Sequence, residues 1–303
     1  MSDIKLFRLA TNGAQEVAGT SVQIEKSMQD LIEQNLEAFL GIRFLASEYI
    51  TGKTHRGRID TLGVDENNNP VILEYKRSIN ENVVTQGLFY LDWLLDHQAE
   101  FALLAMKKLG PSLEDQIDWS SPRLVCIAGD FTRYDEHAIT HIDRNIELIR
   151  YRRYGDEFVL FELINSRTPA ESKPKSSATS ATVTPESLAK DYLAKASPEL
   201  KDLYAEVEAF LSALGDDVQV KALKHYFVFR RLRNFACVEV HPQVGKLTIY
   251  ARVNPDSVAL EEGFTRDVRE IGHLGTGDLE ISVKGKSDFE RAKPLLLTAY
   301  ESS

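Results

Sequence analysis

Long apolar runs are missing from this 303-residue chain. No stretch of eighteen apolar residues occurs, so no membrane-spanning helix is expected. The first residues, MSDIKLFRLATNG, lack the apolar core of a secretion signal. Cysteine is scarce: Cys126 and Cys237 stand alone, each in a strand-like apolar run, RLVCIAG and FACVEV. Two distant thiols supply neither a metal knuckle nor a disulfide framework. They fit buried, reduced side chains in a cytoplasmic protein. A positive surplus is lacking too. Lys and Arg number 36 against 46 Asp and Glu, giving a formal charge of −10. General electrostatic attraction to nucleic acid is therefore excluded, and any such binding needs local basic patches or cations held by the chain's own carboxylates.

What is present is an ordinary globular composition, 43% hydrophobic and 27% charged. One segment departs from it. Residues 165–187, NSRTPAESKPKSSATSATVTPES, are rich in Ser, Thr, Ala and Pro and nearly free of large apolar side chains. Such a segment cannot bury enough surface to offset its ordering entropy, so it reads as a flexible linker. The expected organisation is a first domain over 1–164, a linker over 165–186 and a second domain over 187–303.

Periodicity outlines both domains. In the first, IKLFRL is a short strand. Residues 21–41 carry a helical stripe (Ile24, Met28, Leu31, Ile32, Leu36, Phe39, Leu40) that ends at Gly41. IRFLASEYI is a strand, and RGRIDTLGVDENNNPVILEYK is a hairpin turning at Glu66–Pro70. Two helices follow up to Gly110–Pro111, then strand PRLVCIAGD and a hairpin turning at Gly155–Asp156. This order predicts an α/β domain built on one mixed sheet flanked by helices. The second domain, with two helices, several strands and a last helix, reads as α+β.

The hairpin's second strand poses a question, because VILEYK is apolar except for two charges. Strand side chains alternate, so Ile72, Glu74 and Lys76 share a face. On the first strand Arg58, Asp60 and Leu62 share one. A hairpin then brings Asp60 beside Glu74, with Lys76 next along. Two adjacent carboxylates repel unless a cation neutralises them. Mg²⁺ typically takes one or two protein carboxylates and keeps positions for water and phosphate. Lys76 can then orient an attacking water or neutralise charge on the reacting phosphate. The plainer alternative for D…E-x-K is a structural ion pair.

The pattern Asp60, thirteen residues, Glu74-Tyr75-Lys76 resembles the core of the PD-(D/E)xK nuclease superfamily, with Ile59 where the Pro often stands. Gln86-Gly87-Leu88-Phe89-Tyr90 is similar to the Q-x-x-x-Y element of its RecB-like branch, and puts Gln86 and Tyr90 one helical turn apart. Over about residues 22–95 the chain is also similar to NucS-like endonucleases of the tRNA-endonuclease-like fold group. The resemblance implies a restriction-endonuclease-like fold, Mg²⁺ or Mn²⁺ on Asp60 and Glu74, support from Gln86 and Tyr90, and DNA in preference to RNA. It also implies a helix-borne Glu as a further ligand, Glu25 being favoured over Glu33. Glu48, in FLASEYI, is a separate candidate that reaches the site from the preceding strand.

Basic side chains near Asp60 suit a phosphodiester: Lys53, Arg56 and Arg58 before it and Arg77 after Lys76, with Arg58 expected on Asp60's face. His55 is a weaker candidate base. Arg150, Arg152 and Arg153 fit either phosphate contacts or a solvated face, and Trp93 fits the core better than a base-stacking platform. Residues 263–283 of the second domain resemble a family of unknown function, which implies no chemistry. Its Gly272–Asp278 stretch lacks a Walker lysine and reads first as a connecting loop. Arg230, Arg231 and Arg233, interleaved with Phe and Tyr, fit a nucleic-acid face or, in preference, the wet side of a half-buried sheet. A homodimer or protein partner through this domain is compatible with the sequence. The two functional readings are a metal-dependent nuclease and a nucleic-acid-binding or partner-recruiting module without turnover. Metal-free RNA cleavage finds no Tyr/His/Lys set.

Overall fold

The computed structural model describes residues 4–11, 13–20, 26–52, 56–76, 83–167 and 187–303. The chain divides into two compact units, Met1–Pro174 and Lys175–Ser303.

In the first unit β1 (Leu6–Ala10) and β2 (Gly13–Val17) form a separate two-stranded sheet. After β3 (Gly19–Thr20) the predicted single helix is two, α1 (Lys26–Gln34) and α2 (Leu36–Leu40). The break falls at Asn35, where φ is −120° and ψ is 21°. Its side-chain amide donates to the Leu31 carbonyl at 2.9 Å, the competition with backbone bonding that makes Asn a poor interior helix residue.

The main sheet is built from β4 (Ile42–Ile50), β5 (Arg58–Asp65), β6 (Pro70–Lys76), β7 (Arg123–Ala128), β8 (Asn145–Tyr154) and β9 (Phe158–Arg167), with β3 added. The strand order is β3-β8-β7-β6-β5-β4, and β9 also pairs with β8. β6, β7 and β8 run parallel, and the remaining pairings are antiparallel. The sheet is therefore mixed, as the order of elements predicts.

Parallel strands need a crossover. Between β6 and β7 it is made by α3 (Val83–Asp96) and α4 (Gln98–Leu109). Trp93, Leu94 and Phe101 of these helices share one core with Leu62, Ile72, Leu124 and Cys126. Trp93 is buried and therefore a core residue. Between β7 and β8 the crossover is α5 (Arg133–Thr140), an element the sequence reading passes over. Thr132 and Asp135 form a reciprocal capping box at its start.

One end of the sheet is closed by a buried charge cluster. The Arg123 guanidinium meets Glu147 through two bonds of 2.9 Å and Asp65 through one of 3.0 Å. Asp65 also accepts the backbone N–H groups of Asn67 and Asn69, which shapes the β5–β6 turn. Glu74 and Lys76 lie toward the other end.

The second unit is an antiparallel sheet with helices. Its strands are β10 (Gln219–Ala222), β11 (Phe227–Arg230), β12 (Asn234–His241), β13 (Lys246–Ala251), β14 (Thr265–Asp267) and β15 (Leu279–Val283), ordered β10-β11-β12-β13-β15-β14. Helices α6 (Ser187–Lys195), α7 (Pro198–Ser212) and α8 (Lys286–Glu301) contribute Leu203, Val207, Phe289 and Leu296 to a core with Phe229, Phe235, Ile249 and Ile281. The Gly272–Asp278 stretch lies against the strands. Thr276 N–H donates to the Cys237 thiol at 3.3 Å, and a Cβ on Gly277 would stand 2.7 Å from the Ala251 nitrogen. That close approach explains a glycine there and fits a connecting loop. Arg230 departs from the expected wet face: it is buried, and donates to the Leu232 carbonyl at 3.1 Å. Both cysteines are free and buried. Among the described residues no helix is long and apolar enough to cross a membrane.

Candidate active site

The β5–β6 ladder pairs Thr61 with Leu73 and proceeds from there to the turn. On the other side of that pair two side chains take over the hydrogen bonding. Glu74 Oε1 accepts the Asp60 N–H at 3.2 Å, and Asp60 Oδ2 accepts the Tyr75 N–H at 3.0 Å. Each carboxylate thus bonds to the opposite strand, and both are buried, Asp60 at 9% exposure and Glu74 at 1%. The hairpin brings these two residues together, as the alternation predicts.

Lys76 shares the face of Glu74 and is also buried. Its ammonium donates to Asp135 Oδ2 at 2.8 Å and lies 5.7 Å from the centre of the Phe131 ring. Glu74, Lys76 and Asp135 surround Cys126, which sits across from Glu74 on β7. Burial pushes the Cys126 thiol up, the charges of Glu74 and Asp135 push it further, and Lys76 pulls it down. The Asp135 carboxyl is held below its ordinary value. Burial opposes this, but hydrogen bonds from Lys76 and from the Thr132 backbone and hydroxyl outweigh it.

The Q-x-x-x-Y element ties α3 to the entrance of β5. Tyr90's hydroxyl accepts the Arg58 N–H at 3.1 Å and lies 3.4 Å from Gln86 Nε2. A Cβ on Gly57 would stand 2.4 Å from the Tyr90 ring, so a glycine is needed for the ring to lie against the chain there. Gln86 and Tyr90 therefore lie at the start of the strand that carries Asp60.

Of the candidate third carboxylates, Glu33 and Glu48 have different partners. Glu25 lies outside the described residues. Glu33 Oε1 accepts from Gln29, Ser47 and Thr61 at 3.0, 2.9 and 2.6 Å. The Thr61 hydroxyl also lies 3.3 Å from the Tyr75 hydroxyl, so Glu33 sits with Thr61 and Tyr75. There Tyr75 donates no charge: burial raises its pKa, the Thr61 hydrogen bond lowers it, and Glu33, Asp60 and Glu74 raise it further. Glu48 lies on β4 between the Ser47–Thr61 and Tyr49–Ile59 pairs, across from Asp60. Its φ is 52°, a conformation that costs a side-chain-bearing residue on the order of 1–3 kcal/mol. Its carboxylate bridges Arg58 at 2.8 Å and Lys26 at 3.5 Å.

Arg56 and Arg58 are both exposed. Lys53, His55 and Arg77 lie outside the described residues. Arg150 corrects the expectation of either phosphate binding or a solvated face: it is 4% exposed and held by Glu162 at 2.6 Å and Asp130 at 3.3 Å. Asp135 is the site residue that the sequence reading missed. Its one signal is the Thr132-x-x-Asp135 spacing of a capping box.

Among the described residues no group of three or more His, Cys, Asp and Glu side chains is placed to hold a metal ion. The pair of Asp60 and Glu74 nevertheless fits a hard divalent cation by donor chemistry, since Mg²⁺ is commonly held by one or two carboxylates with water completing its shell.

Comparison with known proteins adds the following. Residues 189–303 match a family described as "Domain of unknown function (DUF5655)". An uncharacterized protein of Haemophilus influenzae is 27% identical over 309 residues, spanning 98% of this chain and 100% of that protein. A solved EndoMS–dsDNA2 complex aligns with 43% of this chain and 46% of that chain, at 19% identity and a TM-score of 0.25. That score is too low to carry a fold assignment, which rests on the chain's own strand order and pairing.

Proposed function

We propose that the first domain is a metal-dependent nuclease that hydrolyses phosphodiester bonds, with DNA as the preferred substrate class. The observation that carries this reading is the meeting of Asp60 and Glu74 beyond the β5–β6 ladder, each bonded to the other's strand, with Lys76 next on the same face. The D…ExK and Q-x-x-x-Y resemblance supports the same reading and the choice of DNA.

Asp60 and Glu74 are the residues that would hold Mg²⁺ or Mn²⁺, with Glu25 a further ligand by resemblance. A bound divalent ion supplies an acidified water and stabilises charge building on phosphate. The protein's own groups do the rest. The backbone N–H bonds to both carboxylates fix their oxygens without a counter-charge of their own. Lys76 presents a cation beside them, suited to a developing negative charge. Tyr90 and Gln86 hold the entrance of β5 in place. Arg56 and Arg58 contact flanking phosphates, with Lys53 and Arg77 in the same role by sequence.

The test is a cleavage assay of wild type and Glu74→Ala on single- and double-stranded DNA and on RNA, with Mg²⁺, Mn²⁺ and EDTA. Metal-dependent cleavage that the substitution removes is the expected result. DNA binding without cleavage under every condition would establish the other reading, a nuclease-like module that recruits rather than cuts.

A further inference from the structure

Lys76 and Asp135 are far apart in sequence and meet in a buried pair. The side chains are 3% and 14% exposed. Asp135 is itself immobilised. Its Oδ2 accepts from the Thr132 N–H at 2.8 Å and the Thr132 hydroxyl at 2.9 Å, and its own N–H donates to that hydroxyl at 3.2 Å. The oxygen that receives Lys76 is therefore anchored to the first turn of α5. That turn follows directly from β7, whose Ala128 pairs with Lys76 in the parallel ladder. Strand and helix together fix both ends of the contact.

A lysine has four rotatable side-chain bonds and a compact charge, so on its own it is a poorly placed cation. Burial alone would also leave its ammonium without hydrogen-bond acceptors. Here one preorganised carboxylate supplies an acceptor, and the Phe131 ring flanks the ammonium. The cation is held on the Glu74 face of the sheet before any substrate arrives. Preorganised charge is what a site needs to stabilise a transition state without reorganising.

We propose that Asp135 is the positioning residue of this site: by binding the Lys76 ammonium it fixes the cation beside the Asp60–Glu74 pair. The proposal rests on the nuclease reading for its consequence in turnover, and on the geometry alone for the fixing of Lys76. Asp135 touches no substrate and acts through Lys76.

The variants are Asp135→Asn, Lys76→Met, the double variant and Thr132→Ala. Asparagine keeps an oxygen acceptor for the cap and removes the charge. Thr132→Ala weakens the cap and keeps the Asp135 carboxylate. On a cleaved substrate Asp135→Asn is expected to lower kcat at least ten-fold with KM and metal-free DNA binding unchanged. It should add nothing to the loss in Lys76→Met, the non-additivity of residues acting as a unit. Thr132→Ala should lower thermal stability; because the backbone N–H of residue 132 still holds Asp135 Oδ2, kcat should stay within about two-fold.

A second readout needs no activity. Acylation of Lys76 by an N-hydroxysuccinimide ester, followed by peptide mass spectrometry, is expected to be at least ten-fold faster in Asp135→Asn than in wild type. Unchanged kcat in Asp135→Asn, additive losses in the double variant, or a raised kcat that marks Asp135 as a restraint on Lys76 would each overturn the proposal. Should wild type cleave nothing, the nuclease reading fails by itself. The acylation rates then decide whether Asp135 fixes Lys76, and equal rates overturn that too.

Discussion

Asp60 and Glu74 each accept a backbone N–H from the strand that carries the other, at 3.0 and 3.2 Å. The contact replaces ladder hydrogen bonds where β5 and β6 part, and it points two acidic side chains into one buried place. A pair of buried carboxylates is an expensive arrangement unless its charge is used or neutralised. Backbone donors reduce that cost, because a charge-assisted bond is stronger than a neutral one. Substituting Glu74 by Gln keeps an acceptor for Asp60 N–H and removes the charge. Glu74→Gln is expected to fold with near wild-type stability and to lose metal-dependent cleavage by about 100-fold or more, the consequence of about 2.7 kcal/mol of lost charge stabilisation. Steady-state kinetics and thermal unfolding of the same preparation check both halves.

Tyr90 ties α3 to the start of β5 through one hydroxyl. Tyr90→Phe keeps the ring against Gly57 and removes the acceptor of the Arg58 N–H. An unsatisfied backbone donor costs about 1–3 kcal/mol. Urea unfolding should show a loss in that range, and cleavage should fall with it because β5 carries Asp60. A variant as stable as wild type would show that Tyr90's hydroxyl is not a structural tie.

Arg123 holds the far end of the sheet by neutralising Glu147 and Asp65. Replacing it leaves two buried carboxylates without their cation. Breaking a buried pair in this way costs about 3–5 kcal/mol. Arg123→Met should therefore destabilise the first domain by about that amount, measured by urea denaturation. The triple variant with Glu147→Leu and Asp65→Asn should recover much of it, since the uncompensated charges are then gone.

Acid should weaken the Asp135 contact in a defined direction. Asp135's folded pKa lies below its ordinary value of 3.8. A depressed carboxyl pKa contributes stability that is fully present above the unfolded value and is lost as pH falls through the folded one. The stability gap between wild type and Asp135→Asn should thus be constant above about pH 5 and shrink progressively below about pH 4. Urea midpoints across that range check it, and a gap that widens in acid would contradict the assigned direction.

Much of this could be read from spacing. Alternation along VILEYK puts Glu74 and Lys76 on one face, and the hairpin turn sets Asp60 against Glu74. The stripe of Ile24–Leu40 locates the first helices but not the break at Asn35, because apolar period is blind to an amide that bonds its own backbone. The Lys76–Asp135 contact was illegible for a different reason. It depends on β6 and β7 being parallel neighbours, a pairing that no local pattern states. α5 is short and buries only Ile139, so its periodicity is too weak to register. Arg150 belongs to a basic run, RYRR, that fits phosphate contacts or a solvated face equally, and it is buried because Glu162 and Asp130, distant in sequence, close on its guanidinium.

Arg58 tests whether the first domain binds nucleic acid through its phosphates. Its side chain is 55% exposed and rests on Glu48 at 2.8 Å. An exposed ion pair of this kind contributes about 0–1 kcal/mol, so a phosphate can compete for the guanidinium. Each such contact releases bound counterions, which makes affinity fall with salt. Arg58→Ala should weaken DNA binding to a similar degree across sequences and reduce the salt slope by about 1. Glu48→Gln should do the opposite to affinity, since it frees Arg58 and removes a negative charge from the approach to Asp60. Binding isotherms in EDTA at several salt concentrations separate the two. If Arg58→Ala leaves the slope unchanged, Arg58 serves only to hold Glu48, and the phosphate contacts must come from elsewhere in the domain.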